Sequence, residues 1–118
     1  MFTGAHVVLY SSDPEADRGF LRDVLGFRGV DAGEGWLIFK LPPAEAAVHP
    51  TEGQPKHELY LMCPDIEMAL ADLAARGVTI AHPVREMSWG LWAAIKLPSG
   101  AELSLYQPRH PTAYDLQE

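Results

Sequence analysis

Two histidines and two glutamates occupy matching places in the two halves of the sequence and could form one chemical site. His6 and His57 each open a short apolar segment, and they lie 51 residues apart. Glu45 and Glu102 each follow a Trp-x-x-x-Lys-Leu-Pro phrase and an alanine. Neutral imidazoles and carboxylates together bind divalent cations such as Zn, Mn, Fe, Co or Ni. The pattern predicts a divalent-metal site, and the alternative is that each residue is an ordinary hydrogen-bonded side chain at a strand end.

The elements that must position these side chains are repeated as well. The same 51-residue interval separates Gly26 from Gly77, which each end a helical pattern that Asp13 or Asp65 begins. Aspartate caps the free N–H groups of a first helical turn, and glycine supplies the left-handed residue that ends a helix. Strand-like runs precede each helix, at 5–10 and 57–63, and follow it, at about 27–31, 35–41 and 44–49 and at about 78–82, 89–97 and 101–107.

This order predicts an α+β fold in a single domain over residues 1–118. It consists of two tandem βαβββ modules, at about 1–50 and about 57–108, with a tail at 109–118. One helix covers one face of each module, so the other faces must pack together or hold a ligand. We therefore expect a curved mixed sheet around a shared cleft.

Alternation along the strands predicts which side chains enter that cleft. On the last strand Glu102, Ser104 and Tyr106 share one face, while the intervening leucines suit the helix-covered face. On the first strand His6, Val8 and Tyr10 are expected inside, and Val7 and Leu9 against the helix. The strand at 57–63 is apolar on both faces, so its pattern is ambiguous; symmetry with His6 places His57 inside.

Composition restricts the classes of partner. The chain has 118 residues and a formal charge of −7, with no run of Lys or Arg, which argues against nucleic acid and anionic membranes as partners. Its single cysteine, Cys63, cannot form an internal disulfide and is expected to be a buried apolar residue. A soluble cytoplasmic protein with a small-molecule ligand is predicted.

Further side chains are candidates for contact with such a ligand. Tyr60, Trp92 and Tyr106 could stack on a flat substrate, although core and dimer packing is the alternative. Arg85 and Arg109 could meet an anionic group, although solvation at the surface is the default. The remaining His-Pro pairs are predicted to be turns: His49–Pro50, His82–Pro83 and His110–Pro111.

Three phrases resemble the vicinal oxygen chelate superfamily, which includes glyoxalase I, bleomycin-binding proteins and extradiol dioxygenases. They are the opening H-V-x-L-Y-x-x-D at 6–13, D-V-L-G-F at 23–27, and W-G with L-P-S-G-A-E-L-S-L-Y-Q-P at 89–108. Metal-binding members use a His on the first strand, a His on the fifth, a Glu on the last and sometimes a ligand on the fourth. These places match His6, His57, Glu102 and Glu45, but the usual position of the last Glu, four residues after a glycine, holds Ser104.

The resemblance implies two functions. The first is a small metalloenzyme, a lyase, isomerase, transferase or dioxygenase, whose metal stabilises an enolate or alkoxide while Glu45 or Glu102 moves a proton. The second is a metal-free protein that sequesters a small aromatic or antibiotic-like compound. A third reading, an accessory domain that acts through protein contact, has less support. A homodimer is expected because relatives complete their clefts by pairing modules within or between chains.

Overall fold

The computed structural model describes residues 7–35, 37–45, 47, 52–54, 57–88, 90–111 and 113. His6, His49, Trp36 and Trp89 lie outside these residues. The elements in chain order are α1 (Pro14–Asp23), β1 (Gly29–Asp31), β2 (Leu37–Phe39), β3 (Tyr60–Met62), α2 (Ile66–Ala75), β4 (Ile80–Met87), β5 (Gly90–Lys96) and β6 (Glu102–Pro108). The α+β class is therefore confirmed. No helix within these residues is long and apolar enough to cross a membrane.

The second half of the chain forms a βαβββ unit. Its strands lie in the order β3-β6-β5-β4, with β3 parallel to β6 and the other described neighbours antiparallel. Ile95 of β5 and Ile66 of α2 are fully buried on one face of this sheet, with Leu103 and Leu105 of β6 beside them. The leucines of β6 thus face the helices as predicted, and Glu102, Ser104 and Tyr106 lie on the opposite face.

Both helices begin where the sequence predicts. The Asp13 carboxylate accepts a hydrogen bond from Ala16 N, and the Asp65 carboxylate accepts one from Met68 N. Beyond the helices, Gly26 and Gly77 adopt φ values of 75° and 84°, a backbone conformation that side chains disfavour. These signals are local to the sequence, which is why they predict the helices well.

The first half does not form a complete βαβββ unit within the described residues. β1 and β2 pair only with each other there, in register Val30 with Ile38. The predicted strands at 5–10 and 44–49 are wrong for residues 7–10, 44, 45 and 47, which have no strand structure. A strand requires a hydrogen-bonding neighbour, and the exposed fractions of Val8 and Tyr10, 58% and 91%, show that this segment is uncovered.

β4 corrects the prediction of a turn at His82–Pro83. The strand continues through Pro83 to Met87, and its pairing with β5 shifts register on both sides of His82. Within the described sheet β4 lies at the edge, where a proline breaks no ladder hydrogen bond. The irregular pairing brings His82 and Arg85 opposite Ala94 and Trp92, on the sheet face away from the helices.

Polar and apolar contacts between described residues join the halves. Asp17 of α1 is buried, with 7% of its surface exposed, and its carboxylate accepts hydrogen bonds from Ser99 N at 3.0 Å and Ser99 Oγ at 2.7 Å. Arg76, after α2, donates to the carbonyl oxygen of Val24 at 3.0 Å. Phe20 of α1 also enters the core of the second sheet. The first helix is thereby fixed to the sheet that carries the candidate site.

Candidate binding cleft

A cleft of about 560 Å³ lies on the sheet face opposite the helices. This volume is within the range of small-molecule sites. The residues that line it come from both halves of the chain and from all four strands of the second sheet: Leu9, His57, Glu58, Leu59, Tyr60, Arg85, Met87, Trp92, Glu102, Leu103 and Ser104.

The register of the strands arranges the cleft face in rows. One row runs from Tyr60 on β3 through Ser104 and Ala94 to His82 on β4. The next row runs from Met62 through Tyr106 and Trp92 to Arg85, again across β3, β6, β5 and β4. Because alternate residues of a strand share a face, neighbouring rows are about 6.6 Å apart along the strands.

Trp92 is held in a fixed orientation on the floor of the cleft. Its indole Nε1–H donates to Ser104 Oγ at 3.1 Å. The His82 ring lies beside the indole, with ring centroids 5.1 Å apart and planes inclined by 33°. Since the indole N–H already has an acceptor, Trp92 can present an apolar face to a ligand without leaving a polar group unpaired.

The carboxylate of Glu102 is bonded to a second cleft-side histidine. His82 Nε2 lies 2.8 Å from Glu102 Oε1, and an ionised carboxylate can only accept, so Nε2 is the donor. Both side chains are about half exposed. The interaction joins the edge strand β4 to β6 across β5 and engages one carboxylate oxygen of the predicted ligand.

Tyr60 occupies the other side of the cleft. Its hydroxyl donates to Glu58 Oε1 at 3.0 Å, and its ring meets that of Tyr106 edge to face, with centroids 6.0 Å apart. Burial, and then the bond and charge of Glu58, raise the pKa of the Tyr60 hydroxyl. The hydroxyl therefore remains a neutral donor at physiological pH.

In the ambiguous strand at 57–63, pairing with β6 places Tyr60 and Met62 on the cleft face, while Leu59, Leu61 and Cys63 pack against the core; Leu59 also borders the cleft. Repeat symmetry with His6 predicts the opposite orientation, with His57 and the residues on its face inside the cleft. His57 nevertheless lines the cleft, because it precedes the regular part of β3, where alternation is not imposed. Leu9 also lines the cleft, although the sequence predicted it against the helix; the described residues supply no strand partner that would fix the orientation of its segment.

The predicted metal ligands are only partly brought together. His57 and Glu102 line the same cleft, whereas Glu45 is not among the lining residues and accepts a hydrogen bond from Ala113 N at 2.6 Å. His6 lies outside the described residues. Within the part of the chain that is described, no three His, Cys, Asp or Glu side chains form a group that could hold a metal ion. These residues alone therefore do not fit a metal.

Of the three aromatic residues predicted to contact a ligand, two line the cleft and the third does not. Tyr60 and Trp92 line the cleft, while Tyr106 supports Tyr60 from the next row and hydrogen-bonds with His110. Sequence reasoning missed His82, because the following proline suggested a turn. Because prolines are tolerated in edge strands, the sequence was also compatible with a strand through His82 and Pro83.

Comparison with known proteins supports the fold. No family model matches the sequence, and no curated protein matches it. Among solved structures, TnmS3, an antibiotic-binding protein from a Streptomyces species, is 26% identical, with a TM-score of 0.63 over 92% of this chain and 99% of its own. A lactoylglutathione lyase from Agrobacterium tumefaciens is 18% identical, with a TM-score of 0.65 over 89% and 92% of the two chains.

A third structure bears the superfamily name. It is a member of the glyoxalase/bleomycin resistance protein/dioxygenase superfamily from Sphaerobacter thermophilus, 24% identical, with a TM-score of 0.54 over 87% of this chain and 93% of that one. The likeness to each of these structures extends over most of both chains. The chain has the fold of the vicinal oxygen chelate superfamily.

Proposed function

We propose that the protein binds a small, flat aromatic compound in the cleft and sequesters it without the help of a metal. The observation that carries this proposal is the Trp92 indole, whose N–H is bonded to Ser104 and whose ring lies on the cleft floor. The family's usual last metal ligand is a Glu at the position of Ser104. Here that position supports an aromatic platform instead.

The other walls of the cleft agree with an aromatic ligand. Tyr60, Met87 and Leu9 supply apolar surface, and the bond to His82 engages the Glu102 carboxylate. TnmS3, which is described as an antibiotic-binding protein, is similar over nearly its whole length. Aromatic and thioether side chains around a few polar groups are typical of small-molecule sites.

Titration of a neutral aromatic probe, 2-naphthamide, tests the proposal. We expect calorimetry to detect binding to the wild-type protein and an affinity about tenfold or more lower for Trp92→Ala, because one aromatic stacking contact contributes about 1–3 kcal/mol. Met68→Ala removes an exposed apolar side chain from α2 and serves as control. Equal affinity of the Trp92→Ala and wild-type proteins would contradict the proposal.

A metal-dependent enzyme of the glyoxalase or dioxygenase type is the second candidate. The observation in its favour is that His57 and Glu102 line one cleft. His6 would have to complete the ligand set, with Glu45 as a further ligand or general base. Elemental analysis of protein purified without chelator measures the bound metal in the wild type and in a His6→Ala, His57→Ala double variant. Stoichiometric metal in the wild type alone would favour the enzyme.

We also propose that a second copy of the chain covers the exposed apolar segment 7–10 and completes the cleft at Leu9. Support comes from the exposure of apolar side chains in this segment: the exposed fractions of Val7, Val8 and Leu9 are 48%, 58% and 42%. Exposed apolar side chains gathered in one segment are typical of a surface that another protein covers.

Light scattering after size exclusion tests the dimer. We expect twice the chain mass of 13.0 kDa for the wild type and for Met68→Glu, and a shift to monomer for Val8→Glu. Both positions carry exposed apolar side chains, but only Val8 lies in the proposed interface. A monomeric wild type at micromolar concentration would contradict the dimer.

A further inference from the structure

We propose that Arg85 selects the ligand, and that the compound bound in the cleft carries an anionic oxygen group, such as a carboxylate, beside its aromatic ring. This inference rests on the proposed binding function and specifies its ligand class. It concerns the part of the cleft where Arg85 of β4 pairs with Trp92 of β5 in the strand register, both residues lining the cleft.

Arg85 differs from Arg109 and Arg76 in its pairing. Arg109 donates to Glu86 at 2.6 Å, and Arg76 lies 3.0 Å from Asp72. Within the described residues Arg85 makes no hydrogen bond or ion pair, although it lines the cleft. Its neighbour Glu86 lies on the opposite face of β4 by strand alternation, so this carboxylate does not serve as its partner.

The carboxylates of the cleft have hydrogen-bond donors of their own. Glu102 accepts from His82, and Glu58 accepts from the Tyr60 hydroxyl. Glu102 precedes Tyr106, which shares the row of Arg85, by four residues, about 13 Å along β6. Along the backbone, Arg85 therefore lies two rows from Glu102, and the Glu102 carboxylate is engaged by His82.

The geometry suits a planar acid. A guanidinium presents paired N–H donors that match a carboxylate, and it holds such a group more strongly than a neutral amide. The indole beside it offers an apolar face to the attached ring. Because the whole chain carries a charge of −7, its field disfavours anions, and a local cation is needed to retain one.

A matched pair of probes separates this inference from the proposed function. 2-Naphthoate and 2-naphthamide share ring and shape and differ in charge. We expect the wild-type protein to bind naphthoate about ten to a hundred times more tightly than naphthamide, a preference that decreases with added salt. In Arg85→Gln the two affinities should become equal, and Arg85→Lys should restore part of the preference.

Arg109→Gln is the matched control, since it removes the same charge from an arginine that is bonded to Glu86. This variant should keep the wild-type preference. Equal affinities of the two probes in the wild type, or a preference that persists in Arg85→Gln, would overturn the inference while leaving the binding function standing. Failure of the wild type to bind either probe would overturn both.

Discussion

At the scale of single residues, Ser104 is the position where the sequence departs from the superfamily pattern and where the structure supports the proposed function. The superfamily pattern assigns its position to a metal-binding Glu, and the structure shows its hydroxyl accepting the Trp92 N–H. The sequence established that Ser104 faces the cleft, since strand alternation depends only on parity. It could not establish the bond to Trp92, because that depends on the register between β5 and β6.

Removal of this acceptor should weaken binding without unfolding the protein. Ser104→Ala leaves the indole N–H unpaired or free to rotate, so we expect naphthamide affinity to fall about three- to tenfold, consistent with the loss of one hydrogen bond. Calorimetric titration measures the affinity. Ser104→Thr, which retains the hydroxyl, is the control, and an unchanged affinity in the alanine variant would show that the bond does not position the ring.

The surroundings of Cys63 allow us to predict the reactivity of its thiol. Its side chain packs against the core, and this burial raises the pKa of the thiol, although a backbone hydrogen bond involving Tyr106 opposes the shift. A raised pKa lowers the thiolate fraction at pH 7–8, so alkylation by iodoacetamide should be slower than that of free cysteine. Urea-unfolded protein provides the reference rate; equal rates in the folded and unfolded protein would contradict the burial.

At the scale of elements, the sequence predicts those helices and strands that depend on contacts between residues close together in the chain. Both helices could be located from their caps and glycines because these signals act within a few residues. The continuation of β4 beyond His82 could not, since a proline in a strand is tolerated only at a sheet edge, and the edge is defined by tertiary pairing. The segment 7–10 reads as a strand in sequence but has no described partner, which supports the proposed second copy.

Two glycines should respond oppositely to substitution. Gly90 begins β5 with φ 152°, and an added Cβ would lie 2.3 Å from the carbonyl oxygen of Gln107 on β6. Gly90→Ala should therefore destabilise the fold by about 2 kcal/mol or more. Gly19→Ala, in α1, meets its nearest atom at 3.8 Å and should stabilise by about 0.5–1 kcal/mol. Urea unfolding monitored by circular dichroism measures both; a neutral Gly90→Ala would contradict the β5–β6 register.

At the scale of the whole molecule, the cleft face shows why the fold alone does not determine the function. The superfamily fold brings strands from a βαβββ unit to one concave face, and different side chains on that face support different functions. In this chain the rows combine a fixed indole, a His–Glu pair and a guanidinium. The sequence predicted that Glu45 and Glu102 share a site, but it could not predict that Glu45 bonds to Ala113 N while Glu102 lines the cleft, since this depends on tertiary contacts.

Binding of 2-naphthamide after removal of metal tests the central claim most directly. Protein dialysed against EDTA and then against chelator-free buffer should bind the probe with the affinity of untreated protein, because Trp92 and Ser104, and not a cation, hold the ring. Loss of binding after dialysis, with recovery on addition of Zn, Mn, Fe, Co or Ni, would contradict the account and favour the metal-dependent enzyme.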